Sequence, residues 1–217
     1  MPTAPSVPTA TPTASTGTID VVVRLLTDGE ILPGDDSVAW LPGLRARPGD
    51  ALTAEIRQHD KQFDPRVSIV PVGSTVNFPN YDRVFHNVFS LSAPKAFDLG
   101  LYRNGKSRSE TFDRPGLVQV FCNIHPQMEA SLMVVDSRIV AVADTHGVAH
   151  LTGVPAGTAL VEVWNARAGR SSHEVAVPAG GRTRLEVETD ISDWRPTAHL
   201  NKHGEEYPPP DDDDFRY

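Results

Sequence analysis

An all-β fold is what this sequence predicts, and three observations carry the prediction. Nineteen prolines and sixteen glycines punctuate the 217 residues, and short Val-rich runs of strand length lie between them. No window carries the apolar stripe at 3.6-residue spacing that an amphipathic helix needs. Hydrophobic residues make up 39% and charged residues 22%, the balance of an ordinary soluble globular protein.

Strands are expected near residues 19–26, 37–41, 52–57, 67–72, 75–78, 84–91, 109–112, 117–121 and 131–135, with four more near 139–144, 159–164, 173–177 and 183–187. Turn chemistry separates them: Pro71-Val72-Gly73 lies between two runs, Asp113-Arg114-Pro115-Gly116 precedes another, and Ala179-Gly180-Gly181 joins the last pair. Thirteen strands exceed what one small sandwich holds, so two β units are expected. Both termini are expected to be disordered. Residues 1–17, biased to Pro, Thr and Ala, read as a flexible linker, without the basic and apolar regions of a signal peptide. Beyond Asp193 the strand pattern stops. The tail, 191–217, has three consecutive prolines and four consecutive aspartates with little to bury, and is expected to be disordered or to lie along the surface.

Charge and cysteine content exclude several function classes. The formal net charge is −8, which argues against a basic nucleic-acid patch. From His199 to Tyr217 six acids stand against Lys202 and Arg216, a local balance of −4, so the body itself is only mildly acidic. One cysteine rules out an intramolecular disulfide framework and a Cys-rich zinc site. No stretch reaches the roughly 18 apolar residues of a transmembrane segment. Neither a nucleophile elbow nor a phosphate-cradling glycine loop is present, so a non-enzymatic role is expected.

The chemistry concentrates in Phe121-Cys122-Asn123-Ile124-His125-Pro126-Gln127-Met128. A thiolate, an imidazole and a thioether fall within seven residues, directly after an expected strand. Soft sulfur with imidazole suits copper, and two His with one Cys and a weak Met is a type 1 donor set. The second imidazole must come from elsewhere, and His86 in Phe85-His86-Asn87-Val88 is the best candidate. A lone cysteine in a strand-rich chain is most often a small buried hydrophobe; the His, the Met and the upstream His-Asn together turn the reading to a metal site. The other histidines lack such company: His59 and His146 read as turn residues, His150 and His173 have no partner at ligand spacing, and His199 and His203 sit in the tail.

The His86-Asn87 pair with the later Cys-x-x-His-x-x-Met loop resembles the cupredoxin superfamily. The short loop with Pro126 after the second His is most similar to the amicyanin kind (plastocyanin-like). Gln62-Phe63-Asp64-Pro65, Gly73-Ser74-Thr75-Val76-Asn77-Phe78-Pro79-Asn80, Phe97-Asp98-Leu99-Gly100-Leu101-Tyr102 and Cys122-Asn123-Ile124-His125 match bacterial cupredoxin-like proteins labelled methylamine-utilisation-like. The resemblance implies a Greek-key β-sandwich holding one type 1 copper, with His86, Cys122 and His125 as trigonal ligands and Met128 axial. Asn87 would stand behind them, its amide tying the His86 strand to the loop that carries Cys122.

Residues 139–187 resemble a carboxypeptidase regulatory-like, transthyretin-like sandwich through Asp144-Thr145-His146-Gly147, Leu151, Val154-Pro155-Ala156-Gly157-Thr158 and Val161-Glu162-Val163-Trp164. The stretch around 19–41 has the same character. A discontinuous unit, 18–44 with 136–190, is therefore expected, with the cupredoxin unit inserted at 45–135; the alternative assigns strand 19–26 to the cupredoxin unit.

The function implied is one-electron transfer, with electrons passing through the edge of His125 beside an apolar patch that includes Pro126. The partner would be a redox protein (a cytochrome, dehydrogenase or oxidase) meeting it transiently, in a periplasmic or otherwise extracytoplasmic location. Copper storage, delivery or sensing, and a non-redox binding module, are the competing readings.

Overall fold

The computed structural model describes residues 15–207; most of the expected linker, together with the triple proline and the aspartate run, lies outside the described residues. Eighteen strands occur among the described residues. The first six are β1 (Thr16–Thr27), β2 (Glu30–Pro33), β3 (Ser37–Trp40), β4 (Thr53–Glu55), β5 (Arg57–His59) and β6 (Gln62–Asp64). Then come β7 (Val67–Pro71), β8 (Ser74–Pro79), β9 (His86–Ser90), β10 (Phe97–Tyr102), β11 (Ser107–Phe112), β12 (Gly116–Phe121) and β13 (Glu129–Val135). The last are β14 (Val140–Val142), β15 (Val148–Pro155), β16 (Gly157–Asn165), β17 (Gly169–Val177) and β18 (Arg182–Asp190). The all-β expectation holds.

Two pairs of facing sheets follow from the alternation of buried side chains. In the first pair, a sheet ordered β15-β1-β18, with β2 added on β1, faces one ordered β14-β3-β16-β17. Ile19, Val21, Val23 and Leu25 of β1 alternate inward and share a core with Ala39, Leu151, Val161, Val163, Val175 and Val187. β1 runs antiparallel to β15 and parallel to β18. It begins at Thr16, two residues inside the expected linker, because Thr16 and Gly17 already pair with Pro155 and Val154.

In the second pair, a five-stranded sheet ordered β10-β9-β12-β13-β7 faces a three-stranded sheet ordered β11-β8-β4. Val76, Phe78 and Phe112 on one side meet Val70, Val88, Val118, Val120, Leu132 and Val134 on the other. Cys122 and Met128 belong to this same core, so the ligand loop is continuous with the hydrophobic interior.

A third cluster joins the two sandwiches. Val38 and Trp40 of β3 and Trp164 of β16 pack on Val67 and Ile69 of β7 and Met133 and Val135 of β13. The period-2 geometry of strands explains why β13 serves both sides: Ala130, Leu132 and Val134 face one core while Met133 and Val135 face the joint.

Strands β2, β6, β10 and β15 were not among the thirteen runs read from sequence, and the run 52–57 covers β4 and only the first residue of β5. β2 is a four-residue strand that is mostly exposed, β15 buries only Ala149, Leu151 and Val154, and β10 is interrupted by Gly100 at φ +66°. The β5–β6 hairpin turns at Asp60 and Lys61, both at positive φ (+53° and +54°), so His59 ends a strand rather than sitting within the turn. Gly147 closes the Asp144–Gly147 turn at φ +76°. A Cβ there would stand 2.6 Å from the Val23 carbonyl oxygen, so only glycine fits.

Candidate metal centre

The ligand loop is a hairpin connection. β12 and β13 are antiparallel with Phe121 opposite Glu129, which leaves residues 122–128 to join them. Two backbone bonds shape the loop: Cys122 N donates to the Met128 carbonyl at 3.2 Å, and Met128 N donates to the His125 carbonyl at 3.0 Å. Three of the four candidate ligands are thus delivered by one short segment. The fourth comes from β9, which lies beside β12 with Phe89 opposite Phe121, so that His86 at the start of β9 reaches the loop.

The three donor atoms of His86, Cys122 and His125 lie within 4.8 Å of one another. The two Nδ1 atoms are 3.0 Å apart, and Cys122 Sγ is 3.9 Å from that of His86 and 3.7 Å from that of His125. Among the described residues this is the one grouping of three or more such donors. His86 and Cys122 are fully buried and His125 is 6% exposed. Met128 is fully buried beside Cys122 in the core.

These separations fit a metal. Three donors each about 2.0–2.3 Å from a common centre stand at such distances from one another, and one thiolate with two imidazoles is a donor set for copper or zinc rather than for a hard cation. Protonation agrees with ligation. Burial lowers the pKa of His86, against the opposing pull of Asp82, and so keeps the ring neutral. Burial raises the pKa of Cys122, although the backbone N–H groups of Asn87, Ile124 and His125 work against it; a bound cation supplies the remaining drive to a thiolate.

No family model matches the chain, and no curated protein matches it. Solved structures do resemble part of it. A copper-containing nitrite reductase from Thermus scotoductus is 26% identical over 38% of this chain and 22% of its own, with a TM-score of 0.37. The chain thus spans under a quarter of that enzyme's length. A purple cupredoxin from Nitrosopumilus maritimus is 24% identical over 38% of this chain and 99% of its own, with a TM-score of 0.35. A variant of amicyanin in its Cu(I) form is 20% identical over 45% of this chain and 98% of its own, with a TM-score of 0.35.

Residues that sequence reasoning missed surround the cluster. Asp82 Oδ2 accepts the His86 Nε2 proton at 2.7 Å, which turns the Nδ1 lone pair toward Cys122. Asp82 is itself held by the β5–β6 turn, accepting from the N–H of Asp60 at 2.6 Å and of Lys61 at 2.9 Å. Burial raises the Asp82 carboxyl, but these bonds outweigh it and hold the pKa below the usual carboxylate range. The legible signal was a carboxylate four positions before a candidate ligand, in a turn.

Asn87 behaves differently from expectation. Its amide Nδ2 donates to Asp98 Oδ1 at 2.6 Å, tying β9 to β10 rather than to the Cys122 loop, because a charged acceptor on the neighbouring strand is the stronger partner. Its Oδ1 is buried with no partner. The link from Asn87 to Cys122 runs instead through the backbone N–H. Pro126 is exposed, as are Ile124 (44%) and Phe85 (50%), each next in the chain to a candidate ligand. His199, set aside in the sequence, stacks on Phe121 with ring centroids 4.0 Å apart.

Proposed function

We propose that this chain is a type 1 copper protein that carries single electrons, with His86, Cys122 and His125 as equatorial ligands and Met128 as the axial one. The observation that carries the reading is the convergence of one thiol and two imidazole Nδ1 atoms in a site with almost no solvent access. Bound copper supplies a one-electron couple there. The chain's own residues do the rest. Asp82 fixes the His86 ring, three backbone N–H groups support the Cys122 sulfur, and a setting open to solvent only at His125 limits the entry of water and added ligands. A rigid, dry donor set resists rearrangement between oxidation states, which keeps the barrier to electron transfer low.

Electrons would pass through His125, whose ring is slightly exposed, where Ile124, Pro126 and Phe85 offer an apolar collar. A cytochrome, dehydrogenase or oxidase docking there would bury a small area, below roughly 1,200 Å². Burial of all four candidate ligands disfavours copper delivery, which needs exchangeable, exposed donors. The same reading places the protein outside the cytoplasm; no helix among the described residues is long and apolar enough to cross a membrane.

For the domain layout we propose the insertion, with 45–135 set between 18–44 and 136–190. What supports it is that the ladders of β1 are with β15, β18 and β2. The functional test is Pro126→Glu. Electron exchange with a small redox protein should slow about tenfold or more, as a charge desolvated at a docking face would cause, while the visible spectrum stays in place. An unchanged rate would move the port elsewhere.

A further inference from the structure

Residues 199–207 do not merely lie on the sandwich; they grip the ligand loop at successive positions. The Tyr207 hydroxyl donates to the Cys122 carbonyl at 2.8 Å. Lys202 N donates to Asn123 Oδ1 at 3.0 Å. His199 Nε2 donates to the Pro126 carbonyl at 2.7 Å, and its ring stacks on Phe121. Two of these acceptors are main-chain carbonyls on the loop, groups that a buried or half-buried segment must pair with something.

The gripping segment is itself preformed. Asn201, 9% exposed, closes a turn by accepting from the N–H of His203 at 2.8 Å and of Glu205 at 3.0 Å. The Lys202 ammonium meets Asp98 Oδ2 at 2.8 Å, and Asp98 Oδ1 accepts from Asn87. A chain of bonds therefore runs from Asn87, beside one imidazole ligand, through Asp98 and Lys202 to Asn123, beside the cysteine. This is the connection that the Asn87 side chain does not make directly, its Oδ1 having no partner.

We propose that residues 199–207 are an integral strap of the metal centre, with Tyr207, Lys202 and His199 as positioning residues that hold loop 122–128 closed and limit access to Cys122. The proposal rests on reading that loop as the metal-binding one. The strap acts on the loop whether or not metal is bound, so its effect is measurable in the metal-free protein. Cys122 is the sole cysteine, which makes thiol chemistry a clean reporter of loop opening.

The experiment is the rate at which Cys122 of the metal-free full chain reacts with a neutral dipyridyl disulfide at neutral pH. It is compared with a Tyr207→Phe/Lys202→Met double variant and with a chain ending at Pro196. Circular dichroism confirms that each variant is folded; should the shortened chain unfold, the double variant carries the test. The expected result is a reaction about tenfold faster in the double variant, the effect of losing the Tyr207 bond to the loop and the Lys202–Asp98 bond that anchors the strap beside it, and faster still in the shortened chain. Equal rates in the full chain and the folded variants would overturn the strap. Copper uptake by the full chain is measured beside it. A chain that protects Cys122 but takes no copper would refute the copper reading alone, whereas one that binds copper with an unprotected thiol would refute the strap alone.

Discussion

Replacing Asp82 by asparagine isolates the contribution of the residue behind the first ligand. The Asp82 carboxylate accepts the His86 Nε2 proton at 2.7 Å, with 11% of its side chain exposed, and is fixed by the N–H groups of Asp60 and Lys61. Asparagine keeps the shape but removes the charge and offers one acceptor oxygen instead of two. The His86 ring then loses its charged partner, with the remaining oxygen contested by the Asp60 and Lys61 N–H groups, and its Nδ1 becomes a weaker donor. Loss of such a carboxylate partner lowers metal affinity about 10–100-fold, equivalent to about 1.4–2.8 kcal/mol. The assay is a copper titration in competition with a chelator of known affinity, with Asp60→Asn as control because the Asp60 side chain is 83% exposed and does not reach His86. An affinity for Asp82→Asn within twofold of the parent would refute the argument that this carboxylate orients the ligand.

Two further outcomes test the scaffold. Glu162 is raised by burial, but Arg170 and Ser172 outweigh that and hold its pKa below the usual range. A depressed carboxyl stabilises the fold fully above its unfolded pKa of about 4.3 and loses that contribution as pH falls through the folded value. Glu162→Gln should therefore cost about 1–2 kcal/mol in urea melts at pH 7, with the gap closing below about pH 4; a gap unchanged at pH 3 would contradict it. Trp40→Ala should cost about 3–5 kcal/mol, since Trp40 is 4% exposed in the cluster that joins the sandwiches; a loss under about 1 kcal/mol would mean that the joint does not couple to folding.

The runs that sequence patterning located best are those buried on both faces. β7, β13 and β16 are apolar, Val-rich stretches whose two faces serve different cores, so their composition alone marks them. β2 and β15 escaped because they are edge or half-exposed strands, whose pairing with β1 is made by main-chain groups that composition does not encode. The same physics divides the candidate metal centre. Cys122, His125 and Met128 were visible because donor chemistry is written in side chains at fixed spacing, and His86 because it precedes Asn87 in an apolar run. Asp82 was not, since its role depends on a turn 21–22 residues upstream that aims it. Nor were His199, Lys202 and Tyr207, because two of their three hydrogen bonds to the loop end on carbonyl oxygens, which every residue possesses.

The most direct test of the central claim is a copper titration of the metal-free chain, followed by visible absorption and EPR, with Cys122→Ser alongside. The account predicts an intense thiolate-to-copper band that saturates at about one copper per chain, with the narrow hyperfine splitting of a type 1 site, and reversible bleaching by a one-electron reductant. Cys122→Ser should lose the band entirely. A weak, ordinary Cu(II) spectrum that survives in Cys122→Ser would show that copper binds elsewhere, and would contradict the assignment of His86, Cys122, His125 and Met128.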